Sequence, residues 1–140
     1  MRTLKLFGML TIAAALITGC STAATPATGR VSTINATLTE MQIALDRTSI
    51  SAGPVTFVVK NKGTAVHELV VLKTDVPEGK LAAGTEAGKV DETGNLAETG
   101  DMEAGGSKTF TVTLPAGHYI LMCNQVGHYA AGMHIAFTVN

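Results

Sequence analysis

Short runs of alternating apolar and polar residues, recurring along the chain, limit most strongly what this sequence can fold into. Val55, Phe57 and Val59 alternate with Thr56, Val58 and Lys60, and Phe110, Val112 and Leu114 alternate with Thr109, Thr111 and Thr113. A period of two, rich in β-branched residues, puts one face of an extended strand against a core. Met41, Ile43 and Leu45 predict an earlier strand, Tyr119, Leu121 and Cys123 a later one, and Met133, Ile135, Phe137 and Val139 the last. Asn61-Lys62-Gly63 and Pro115-Ala116-Gly117 supply turns between runs. After the first thirty residues no segment carries a helical stripe, so the expected fold is an all-β sandwich of seven to eight short strands. The segment from Lys73 to Lys108, with seven glycines, is too long for a structureless loop. Short strands are expected in it near Lys89–Glu92 and Leu96–Thr99, and one helical turn around Lys80–Ala83 stays open.

The chain starts differently. Arg2 and Lys5 precede a twelve-residue, largely apolar run from Leu6 to Ile17, which is the layout of an export signal. Twelve residues fall short of the roughly 20 that span a bilayer as a helix. The run ends in Ile17, Thr18, Gly19 and Cys20, which resembles the bacterial lipobox. That resemblance implies removal of residues 1–19 and acylation of Cys20, with cleavage near Ala23 or Ala24 as the alternative. Ser21 in place of Asp favours the outer membrane, by analogy with Gram-negative lipoproteins. Residues 20–30 then form a lipidated tether of Ser, Thr, Ala, Pro and Gly, and residues 31–140 suffice for one domain.

Loss of Arg2 and Lys5 leaves eight basic residues against eleven acidic ones, a net charge near −3 that makes nucleic acid an unsuitable partner. Eight of the eleven acids fall between Lys73 and Lys108, against four lysines, which predicts one acidic face or loop. With Cys20 taken by lipid, Cys123 is left as a lone thiol in an oxidising compartment. Such a cysteine is buried and inert, or joined to another chain, or a metal ligand.

Strand phase selects the candidates for ligands. His67 shares parity with Leu69 and Val71, Cys123 with Tyr119 and Leu121, and Met133 with Ile135, Phe137 and Val139, so all three point inward at strand ends. His128 lies in the small, apolar loop between Cys123 and Met133. His118 and His134 are out of phase and are expected at the surface. Met122 and Met102 are expected at the surface or in peripheral packing. A thiolate, two imidazoles and a thioether form the donor set of a copper site with a weak axial Met. Zinc also accepts such ligands, but the divalent affinity order peaks at copper and Met adds little to Zn²⁺.

Cys123-x4-His128-x4-Met133, with His67 56 residues upstream of the cysteine and just after Asn61-Lys62-Gly63, resembles the cupredoxin signature. The loop spacing is most similar to the rusticyanin, sulfocyanin and auracyanin branches. The resemblance implies a Greek-key sandwich holding one mononuclear copper, with His67, Cys123 and His128 in the plane and Met133 axial. Many cupredoxins carry Asn or Ser after the early histidine, whereas Glu68 stands here, either facing solvent or acting on the site.

The implied function is a monomeric, periplasmic, lipid-anchored blue-copper protein that carries single electrons. Its partner would be a c-type cytochrome, a copper oxidase or a reductase, steered by the acidic segment. Copper delivery or storage is the alternative. An enzyme is not expected, because no acid-base pair accompanies the metal ligands. A sandwich that binds no metal is the remaining reading.

Overall fold

The computed structural model describes residues 30–140, so the signal, Cys20 and nearly all of the tether lie outside the described residues. Nine strands form: β1 (Ser32–Thr39), β2 (Gln42–Leu45), β3 (Ser49–Ile50), β4 (Gly53–Asn61), β5 (Val70–Lys73), β6 (Asn95–Glu98), β7 (Ser107–Leu114), β8 (Gly117–Met122) and β9 (His134–Val139). They make a four-stranded sheet, β2-β1-β4-β7, and a five-stranded sheet, β3-β9-β8-β5-β6. No helix occurs among the described residues. The all-β sandwich is therefore as expected, with more strands because β3 is a two-residue piece pairing in parallel with β9.

The alternating residues make the core that joins the sheets. Ile34, Ala36 and Leu38 of β1, Val55, Phe57 and Val59 of β4, and Leu114 of β7 face Val71, Tyr119, Leu121, Phe137 and Val139 from the other sheet. Phe57 stacks on Phe110 with ring centroids 5.3 Å apart and meets Phe137 of the opposite sheet at 6.3 Å. Tyr119 donates its hydroxyl to the Pro115 carbonyl at 2.6 Å, which gives this buried polar atom a partner.

Strand β1, which the sequence reading passed over, pairs in parallel with β4, Ile34 lying opposite Phe57. Met41 belongs to the turn before β2 rather than to the strand, with φ of 59° and an exposed side chain.

The middle of the five-stranded sheet, at β5 and β8, is covered on both faces. The connection after β5 folds back over its outer side, and Val70, Leu72, Ile120, Met122 and Tyr129 form a second apolar cluster under Leu81 and Val90. Met122 is thus fully buried. The segment Lys73–Lys108 yields β6, close to the strand expected at Leu96–Thr99. At Lys89–Glu92 there is a single bridge, from Val90 to Ala83, and no helical turn forms at Lys80–Ala83.

Candidate metal centre

Three ligand atoms meet at one end of the sandwich. Cys123 follows β8 directly, and its thiol is fully buried. Its Sγ lies 3.3 Å from His128 Nδ1 and 3.9 Å from His67 Nδ1, and the two Nδ1 atoms are 3.3 Å apart. A point equidistant from corners with those separations lies about 2 Å from each, the length of a metal–imidazole bond. The imidazole rings are tilted by 57° to each other rather than stacked, with centroids 5.0 Å apart. The donor set fits one ion.

Each ligand is held by its own stretch of backbone. His67 exchanges two hydrogen bonds with Met102, donating to its carbonyl at 3.2 Å and accepting from its N–H at 2.8 Å. The preceding loop is fixed by buried Asn61, whose amide donates to the Ala65 and Met102 carbonyls and whose Oδ1 accepts from Gly63 N–H. Between Cys123 and Met133 the ligand loop is closed twice: Cys123 N–H donates to the Met133 carbonyl, and Met133 N–H to the His128 carbonyl, both at 3.0 Å. Gly127 and Gly132, with φ of 82° and 102°, supply the left-handed conformations that let so short a loop turn back. Met133 opens onto β9 and is fully buried in the main core beside Cys123.

The protein environment disfavours the charged forms of Cys123 and His67. Burial pushes the Cys123 thiol above its ordinary range. Burial, and then the neighbouring His128, hold His67 below the ordinary imidazole range, with Glu40 pulling the other way. A metal must therefore displace the thiol proton, while the imidazole is ready to bind.

Glu68 is not solvated. It is nearly buried: its N–H donates to Cys123 Sγ at 3.4 Å and its carboxylate accepts from Asn124 N–H at 3.1 Å. Burial raises its carboxyl, and Glu92, Asp101 and Glu98 add to the shift, so part of the acidic segment does gather beside the site. Asn124, which the sequence reading missed, is buried and ties the ligand loop to Val90 and Glu92. Its position directly after the cysteine was the available signal. Met102, expected at the surface or in peripheral packing, lies in the main core and bridges to His67.

Other expectations divide. His118 is exposed, whereas His134 is partly covered, stacked near Tyr129 and bonded to Glu78 at 3.0 Å. Tyr129, in the small apolar loop between Cys123 and Met133, is buried in the second cluster, and its hydroxyl accepts from Leu81 N–H. The loop does expose Val126, Ala130 and Ala131 around half-buried His128.

Glu40, in the turn between β1 and β2, also reaches the site. Its carboxylate accepts from the N–H groups of Thr64 and Ala65, and those bonds push its carboxyl from 4.5 down to about 2. A depressed folded pKa stabilises the fold above the unfolded value, and that contribution is lost as pH falls from 4.5 towards 2. The urea midpoint of the metal-free protein should therefore exceed that of Glu40→Gln at about pH 5.5, with the gap narrowing by about pH 3. A gap independent of pH would contradict this account.

A sequence profile of copper-binding proteins of the plastocyanin/azurin family matches residues 31–140, the stretch that holds all of these residues. The chain belongs to this family. Copper is accordingly the metal, and His67, Cys123, His128 and Met133 are consistent with a blue-copper ligand set. Solved relatives agree in fold. Dithionite-reduced auracyanin from Roseiflexus castenholzii is 28% identical, with a TM-score of 0.60 over 80% of this chain and 99% of its own. Auracyanin A from Chloroflexus aurantiacus, described as a "blue" copper protein, is 27% identical, with a TM-score of 0.58 over 79% of this chain and 100% of its own. Rusticyanin from Thiobacillus ferrooxidans is 20% identical, with a TM-score of 0.65 over 80% of this chain and 79% of its own, and supports the fold alone. No curated protein matches by sequence.

Proposed function

We propose that this cupredoxin is a one-electron carrier whose copper would be held by His67, Cys123, His128 and Met133. The observation that carries the reading is the triangle of Nδ1, Sγ and Nδ1 around a single centre, built from fully buried His67 and Cys123 and half-buried His128. Bound copper supplies the Cu(I)/Cu(II) couple. The chain supplies rigidity: the paired bonds of the Cys123–Met133 loop, the His67–Met102 bridge and the Asn61 clamp hold the ligands in place whichever charge the ion carries. The Glu68 N–H donates to the sulfur and so moderates its electron density. That auracyanin from Roseiflexus castenholzii was obtained in a dithionite-reduced form supports a redox role.

His128 is the least buried of the four ligands, and its loop presents Val126, Ala130 and Ala131, a small uncharged surface suited to a brief encounter. A redox protein such as a c-type cytochrome, a copper oxidase or a reductase would dock there, steered by Glu92, Glu98, Asp101 and their acidic neighbours. The export signal and Cys20 support a periplasmic or cell-envelope location through a lipid anchor. A monomeric carrier, with no catalytic activity of its own, completes the reading.

The test adds Cu(II) to purified Ser21–Asn140 and records visible and electron paramagnetic resonance spectra. An intense copper–thiolate band with one copper per chain is expected. A colourless copper complex would end this reading.

A further inference from the structure

His67 contains an atom that the ligand set leaves unexplained. Its Nδ1 faces Cys123 Sγ and His128, so with Nδ1 as the metal-binding nitrogen the ring proton would sit on Nε2. Nε2 is buried and has no hydrogen-bond partner. Among the described residues one carboxylate lies within 4.0 Å of it: Glu40, with Oε1 at 3.6 Å. That distance is longer than a hydrogen bond and short enough for a strong charge interaction.

The placement of Glu40 is specific. The same Oε1 that faces Nε2 accepts from Thr64 N–H, from Ala65 N–H at 2.8 Å and from the Thr64 hydroxyl at 3.2 Å. Met41, the next residue, is the sole non-glycine residue with positive φ among the described residues, so the turn presenting Glu40 is held in a sparsely populated conformation. Gly63 leaves the space: a Cβ there would stand 2.6 Å from Oε1 and 2.8 Å from Oε2. Any side chain at position 63 would displace the carboxylate.

Building on the electron-carrier reading, we propose that Glu40 is a positioning residue for the copper ligand His67, its carboxylate facing the Nε2 edge of the ring and favouring Cu(II) over Cu(I). A carboxylate behind a ligating imidazole makes the ring a stronger donor, and the higher metal charge gains more from a nearby anion. Glu40 is 45% exposed, so water screens part of the effect. The carboxylate also couples the site to the β1–β2 turn, which holds none of the four ligands.

The experiment measures the reduction potential of the copper-loaded full chain, of Glu40→Gln and of Gly63→Ala. Glutamine keeps an acceptor for Thr64 and Ala65 while removing the charge. The expected result is a roughly tenfold shift of the equilibrium towards Cu(I), about 59 mV upward for one electron. Gly63→Ala, which keeps the charge but pushes the carboxylate away, should shift the potential in the same direction. An unchanged potential in Glu40→Gln overturns the proposal. Should that variant not fold, Gly63→Ala decides by the same measurement. If the parent chain shows no copper–thiolate band, the electron-carrier reading falls and this inference with it. A parent with that band and an unmoved variant refute the inference alone.

Discussion

Replacing Cys123 with serine is expected to abolish the copper–thiolate absorption completely and to weaken copper binding by more than the roughly 10–100-fold that loss of an outer partner costs. The sulfur is one of three donor atoms around a single centre, and the two histidines and the neutral thioether of Met133 that remain cannot reproduce its charge. The substitution should spare the fold. Cys123 is fully buried, serine is close to it in shape, and its hydroxyl can accept the Glu68 N–H that now points at sulfur. Far-ultraviolet circular dichroism of the metal-free variant should therefore match the parent, while copper titration gives no intense visible band. Survival of the band in Cys123→Ser would mean that the thiolate is not the ligand and that the site has been misassigned.

Phe57→Ala should produce the largest loss of stability, about 3–5 kcal/mol. Phe57 has no exposed surface and touches aromatic rings in both sheets, Phe110 beside it and Phe137 across the core. The backbone around it is paired on both sides, with Ile34 in β1 and Phe110 in β7, so the sheets cannot easily close over the gap. Against a typical domain stability of about 5–15 kcal/mol this is a large fraction, and Tm should fall by on the order of 15 °C. Calorimetry or urea denaturation of the metal-free protein measures it. A loss below about 1 kcal/mol would show that the core relaxes into the space and that Phe57 does not bridge the sheets as described.

The ligand residues were legible because each sits where strand phase meets chemistry. Cys123 and Met133 lie in the main core at the ends of alternating runs, as parity required, and His67 is buried as its phase with Leu69 and Val71 implied. Parity served less well wherever a second layer covers the sheet. Met122 and His134 are out of phase with the core, yet the connection after β5 folds over the outer face and covers them fully and partly in turn. Period two tells which side of a strand a residue occupies, but not what lies beyond that side.

Glu68, Asn124 and Glu40 illustrate the same limit at the site. Glu68 follows a ligand and reads as polar, and only the packing of the β8–β9 loop shows that its carboxylate is enclosed and bonded to Asn124. Glu40 lies 27 residues before His67, in a turn with no motif to mark it. Its approach depends on β1 running parallel to β4, which brings the end of one strand beside the loop leaving the other. The sequence by itself determined an all-β chain with a single family signature and four donor residues, because alternation and ligand chemistry are local properties. The tertiary structure alone decided which polar groups surround those donors, because long-range strand pairing and the folded-back connection set which distant side chains come beside the metal ligands.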